Sequence, residues 1–104
     1  MSLTIGEVAT FPNVQADKAQ VLKIAEEYSE VFSAWENYQE SARMYEHGHE
    51  SYSGFQFAAA RVVDECADLI TATANLLVAL HVDDNIMKRA MQDCEQRNRD
   101  RGRL

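Results

Sequence analysis

Val62-Val63-Asp64-Glu65-Cys66-Ala67-Asp68-Leu69-Ile70-Thr71-Ala72-Thr73-Ala74-Asn75-Leu76 decides the fold. The stretch reads as the middle of a long helix, from about Phe55 to about Leu80, that is apolar almost all the way round. After Asp68 its only polar side chains before Ala79 are Thr71, Thr73 and Asn75. A helix without a polar face is normally buried on every side. Yet Glu65 and Asp68 sit in it one turn apart on the same face, and Asn75 continues that face two turns later. Carboxylates in such a setting are costly unless paired or bound to a metal, and here the sequence first points to chemistry.

Upstream, Asp17 has the character of an N-cap, with Gln20 as the reciprocal partner of a capping box. The pattern predicts a helix from Lys18 to about Tyr38, with helical propensity continuing to Glu46 as a short second helix after a bend. Val21, Leu22, Ala25, Tyr28, Phe32 and Trp35 recur at three- and four-residue intervals as its main apolar stripe. Lys23, Glu27, Glu30 and Ala34 follow the same spacing on a neighbouring face. Trp35 and Tyr38 read as core, with stacking on a ligand ring as the alternative. Residues 1–16 have no clear period and contain Phe11-Pro12-Asn13, which cannot be mid-helix, so they form an arm or lead-in to a helical domain over 17–104.

His47-Gly48-His49-Glu50-Ser51-Tyr52-Ser53-Gly54 is the strong loop signal; His47 and His49 within it read as solvated rather than metal-binding. Downstream, His81 is expected to cap the end of the central helix, and Asp83 or Asp84 to begin a last helix from about Asn85 to about Arg97. Ile86, Met87, Ala90, Met91 and Cys94 form its apolar stripe. With four Gly and one Pro in 104 residues there is little punctuation for strands. The expected architecture is a single all-α domain, a bundle of three to four helices.

The net charge of −7 argues against nucleic acid as the main partner. Its distribution is uneven: Arg97, Arg99, Arg101 and Arg103 against Asp100 give the last eight residues +3, which leaves −10 on the rest. No apolar run is long enough to span a bilayer, because Asp68 interrupts the best one. The N-terminus lacks the basic-then-apolar pattern of a secretory leader, and Cys66 and Cys94 lack CxxC spacing. Two free, buried thiols in a cytoplasmic protein are expected.

The acids make two i, i+3 pairs, Glu27 with Glu30 and Glu65 with Asp68, each on one helical face. If the two helices pack antiparallel, the four carboxylates converge. Like charges at that range repel, and some take up protons unless a cation neutralises them. An all-oxygen donor set suits a hard ion, Mg²⁺ or Mn²⁺, rather than zinc. Mg²⁺ commonly leaves positions for water and substrate phosphates, so phosphoryl chemistry follows. A di-iron bundle would need Glu-x-x-His on two helices, and the single match, Glu46 to His49, crosses a glycine. The competing reading is that the acids are solvated helix faces.

Glu26-Glu27-x-x-Glu30 followed by Glu65-x-x-Asp68 resembles the EExxE…ExxD signature of the MazG-like, all-α nucleoside triphosphate pyrophosphohydrolase superfamily. Asn75-Leu76, the Val82-Asp83 turn and the basic ending Arg97-Asn98-x-x-Arg101-Gly102 extend the resemblance over roughly Asp17 to Gly102. Thirty-four residues lie between Glu30 and Glu65, more than is usual there; the excess is expected in the loop from Glu46 to Gly54. The basic residue often found a turn before the terminal Arg-Asn is absent, with Asp93 and Cys94 in that region.

The resemblance implies hydrolysis of a nucleoside triphosphate, often a deoxynucleotide, to the monophosphate and pyrophosphate. It implies Mg²⁺, with Mn²⁺ as a substitute, on Glu27, Glu30, Glu65 and Asp68, and Glu26 or Glu27 orienting or deprotonating the attacking water. Asn75 becomes a polar contact to ribose or to a ligand carboxylate, and Lys88, Arg97, Asn98 and Arg101 candidates for the outer phosphates. Two alternatives stand beside it: a non-catalytic metal-binding bundle that serves as an assembly module, and a phosphoribosyl-nucleotide pyrophosphohydrolase. The central helix is too apolar for three or four helices to cover, so a homodimer or homotetramer is expected, with the surface from Leu69 to Leu80 partly buried between chains.

Overall fold

A computed structural model describes residues Met1–Leu104, folded as three α-helices with no strand. Helix α1 runs Lys18–Glu46, α2 Tyr52–Ala79 and α3 Asp84–Asp100. Asp17 caps α1 by accepting the Gln20 N–H on its side chain, as the sequence predicts. The capping box is one-sided, because the Asp17 N–H goes to the Gln15 carbonyl instead. Ser51 Oγ and Asp83 Oδ1 cap α2 and α3 in the same way, through the N–H groups of Gly54 and Ile86.

Each helix ends in a Schellman motif, in which a left-handed residue after the cap turns the chain and two N–H groups satisfy otherwise orphaned carbonyls. For α1 the left-handed residue is Gly48, and the N–H groups of His49 and Gly48 reach the carbonyls of Met44 and Tyr45. For α3 it is Gly102, with Arg103 and Gly102 donating to Asn98 and Arg99. For α2 the position falls to His81, at φ 63°, where a side chain is strained and glycine is not.

Several boundaries differ from the sequence reading; α3, for one, continues past the expected end at Arg97 to Asp100. Helix α1 is one unbroken 29-residue rod, about 43 Å long, with no bend after Tyr38. No Gly or Pro interrupts it before Gly48, so nothing stops propagation. Helix α2 begins at Tyr52, because Ser51 starts it and Gly54 sits inside its first turn. The loop is thus only residues 47–51, and the extra length between Glu30 and Glu65 lies in the two helices.

The five-residue loop folds α1 and α2 into an antiparallel hairpin. Its loop end is closed by aromatic rings: Trp35 to Tyr38 to Phe55, then Tyr45 stacked on Phe55 with centroids 5.3 Å apart. The buried positions of the two rods are small or polar. They are Glu27, Ala34 and Ser41 on α1, at heptad spacing, and Ala72, Asn75 and Ala79 on α2. No large side chain is fully buried.

The stripe expected to form the core of α1 therefore points outward. Val21, Leu22, Tyr28, Phe32 and Trp35 are exposed, while the neighbouring face that carries the acids meets α2. Phe57 and Val63 of the central helix are also exposed, at 69% and 67%. Helix α3 packs against neither rod, so the three helices do not close a bundle within one chain. The chain exposes 8331 Å² with a radius of gyration of 17.1 Å. A compact monomer of this mass would expose about 5,900 Å² with a radius near 13 Å. No helix is long and apolar enough to cross a membrane.

Candidate metal centre

The antiparallel hairpin brings the two acid pairs together. Glu27 and Glu30 on α1, and Glu65 and Asp68 on α2, each offer a carboxylate oxygen within 4.8 Å of the other three. The i, i+3 spacing within each helix sets one side of this square, and the close approach of the rods at small residues such as Ala34 and Ala72 sets the other. Glu27 is buried at 7% exposure, Glu65 is intermediate, and Glu30 and Asp68 are open to solvent. The cluster is thus rooted in the seam and open at its mouth.

Two cations flank it, and neither was singled out from the sequence for this role. Lys23 Nζ lies 3.0 Å from Glu27 Oε1 and 3.5 Å from Glu26 Oε2; Arg61 Nη2 lies 3.3 Å from Glu65 Oε1. Both are i, i+4 pairs, a spacing visible in the sequence. The other oxygens of these two acids, Glu27 Oε2 and Glu65 Oε2, are buried with no hydrogen-bond donor. An unpartnered buried carboxylate oxygen is expensive, and a cation seated among the four carboxylates supplies the missing partner.

Charge makes the same point. Five carboxylates, counting Glu26 on Lys23, with two paired cations leave −3, an excess of negative charge that a bound cation would offset. Glu30 is held above the ordinary carboxylate value, chiefly by the charge of Glu27, then by partial desolvation and by the neighbouring carboxylate of Glu65. An all-oxygen site of this kind fits a hard divalent cation.

Glu26, the other candidate for activating water, lies outside the square, with its side chain 60% exposed against Lys23. Asn75 is the most buried residue of the chain, at 3%. It lines a cavity of about 300 Å³ that also takes in Glu27 and Asp68. Its Oδ1 is already engaged by the backbone N–H of Phe11, 2.9 Å away.

The structure does not bring Lys88, Arg97, Asn98 or Arg101 to the acids of the same chain, because α3 stands off the hairpin. The Asn98 amide is used locally, donating to Cys94 Sγ and accepting from Arg103, which completes the helix end. Cys66 and Cys94 are both free and half-buried. His47 and His49 take no part in the acid cluster; they lie at the α1 terminus. No protein family, curated protein or solved structure matches this chain.

Proposed function

We propose that the chain is a Mg²⁺-dependent nucleoside triphosphate pyrophosphohydrolase, with deoxynucleotides of the cytoplasmic pool as the favoured substrates. The observation that carries this reading is the square of four carboxylates, two of them with buried oxygens that lack any donor. Glu27, Glu30, Glu65 and Asp68 would hold the metal; Mg²⁺, or Mn²⁺ in its stead, neutralises charge that builds on phosphoryl oxygens when bound. Water attacks the α-phosphorus, the α–β phosphoanhydride bond breaks, and the products are the nucleoside monophosphate and pyrophosphate. Between the two candidates for orienting that water, Glu27 borders the metal square, and Glu26 approaches only through Lys23.

The working unit is a homodimer or homotetramer. One chain exposes about 2,400 Å² more than a compact monomer of its mass. If each of two copies buried that excess, the total would fall within the roughly 2,000–5,000 Å² of obligate interfaces. The outward stripe of α1, Phe57 and Val63 on α2, and Ile86 and Met91 on α3 are apolar surfaces available for it, together with Val78 and Leu80 in the stretch from Leu69 to Leu80 that the sequence singles out. A partner would also give the basic residues of α3, which include Lys88, Arg97 and Arg101, a route to the acids of the neighbouring copy.

The test is a panel of canonical and damaged nucleoside triphosphates plus a phosphoribosyl nucleotide, assayed for pyrophosphate release with Mg²⁺ and with Mn²⁺. Release from one or more nucleoside triphosphates, lost in Asp68→Asn with helicity retained, supports the reading. Activity confined to the phosphoribosyl compound moves the substrate class, and no metal-dependent release from any member leaves a non-catalytic metal-binding module.

A further inference from the structure

The cavity beside the acid square has a second wall that belongs to neither helix. Phe11, in the N-terminal arm, lines it together with Lys23, Thr71 and Asn75, and the acids it shares with the square are Glu27 and Asp68. The arm is tied to the hairpin there by the Phe11 N–H, which donates to Asn75 Oδ1 across 64 residues of chain. Local geometry holds Phe11 as well. A residue before proline is confined to extended conformations, Pro12 fixes its own φ, and Asn13 takes the left-handed turn at φ 62°.

These constraints order the backbone of a residue that is left 63% exposed. An apolar ring held next to charged groups, and not packed into the core, has a face free for another flat ring. The cavity, at about 300 Å³, lies at the small end of the range for ligand sites, roughly 300–1,000 Å³. It suits one planar ring system at the Phe11 and Asn75 end, with any phosphates toward the Glu27 and Asp68 end that it shares with the acid cluster.

We propose that Phe11 is the stacking wall of a nucleobase subsite, and that Asn75 is the positioning residue that docks the arm so that the subsite exists. This inference rests on the nucleotide reading above. Stacking of a base on an aromatic side chain is sequence-tolerant, so Phe11 contributes affinity for the base as a class, and the cavity edges discriminate among bases.

The experiment is calorimetry on the full chain with Mg²⁺ and two probes: a non-hydrolysable α,β-methylene deoxynucleoside triphosphate, and inorganic tripolyphosphate, which has no base. Phe11→Ala should weaken the nucleotide about 10-fold and leave Mg²⁺ and tripolyphosphate unchanged. Phe11→Trp should keep the affinity, with indole fluorescence quenched on binding. Asn75→Ala should give the same selective loss, raise hydrogen exchange at the Phe11 amide, and be non-additive with Phe11→Ala. Equal affinity of wild type and Phe11→Ala for the nucleotide, or an equal loss for both probes, overturns the subsite. A wild type that binds neither Mg²⁺ nor tripolyphosphate overturns the nucleotide reading and the subsite with it, and is told apart by the base-free probe.

Discussion

Replacing Glu27 by Gln should stabilise the metal-free protein and destabilise the metal-loaded one relative to wild type. The substitution keeps shape and removes one negative charge from the square. Glu27 and Glu65 present oxygens within 4.8 Å of each other. A like-charge pair at that distance repels by about 0.9 kcal/mol in bulk water and about 3.5 kcal/mol at an effective dielectric of 20. The new amide could also donate to Glu65 Oε2, which is buried without a partner. Against this stands the loss of the ion pair to Lys23, whose side chain is 50% exposed and screened, so that loss is the smaller effect.

The metal-free variant should therefore gain about 1 kcal/mol, or roughly 4–8 °C in Tm for a chain of this size. With Mg²⁺ at about one hundred times its Kd, the wild type gains about 2.7 kcal/mol by linkage. Glu27→Gln forgoes most of that, and the order of the two proteins inverts. Thermal denaturation followed by circular dichroism, in chelator and in excess Mg²⁺ at one fixed protein concentration, reads both comparisons. Solvated surface acids would give the opposite pattern: a metal-free variant that melts below wild type, and a wild type indifferent to Mg²⁺. That result would refute the reasoning.

Because the folded state raises the pKa of Glu30 above its ordinary 4.5, the protonated form stabilises the fold. That contribution is complete below 4.5 and fades as pH rises through the folded value, so the metal-free Tm should gain from Glu30 as pH is lowered through that folded value toward 4.5. Mg²⁺ should flatten that gain, and its binding on the acidic side of the folded value should release protons, visible as a buffer-dependent calorimetric enthalpy. His81→Gly relieves a left-handed side chain at the end of α2 and should add about 0.5–1 kcal/mol in chemical denaturation; a loss would show that the imidazole makes a compensating contact. Light scattering should give a mass at least twice 11.8 kDa, and Val63→Asp, on the outward face of α2, should lower it; an unchanged monomeric mass would remove the assembly.

Local chemistry was legible where its cause is local. Asp17 and Asp83 cap their helices as sequence predicts, and the i, i+3 acid pairs meet because a short loop forces adjacent helices antiparallel. The continuous α1 was also within reach, since a bend after Tyr38 had no breaker to cause it. Longer-range facts were not. Nothing near Asn75 in sequence signals that its oxygen takes an N–H from Phe11, and nothing in the α3 stripe signals that the helix stays off the hairpin. Periodicity identifies a face; it does not say what the face meets.

The stripe of α1 illustrates why that gap matters. Apolar periodicity marks Val21, Leu22, Tyr28, Phe32 and Trp35 as a buried face, yet the seam with α2 is lined by Glu27, Ala34 and Ser41. Two readings of the same helix cannot both supply the core of one chain. They are reconciled if the small and polar seam is the part that does chemistry, and the apolar exterior is core for a second copy. Small residues along the seam let the rods approach, and that approach brings four carboxylates within reach of one ion. Larger apolar residues at Ala34 or Ala72 would pack the seam better and force the acids apart. The hairpin has little internal burial at its centre, where the four acids meet, and on the proposed assembly a second copy would supply the hydrophobic burial that the single chain lacks. If both proposals hold, metal binding and assembly should be coupled, since repulsion among unneutralised acids would loosen the same seam on which the outward stripes are mounted.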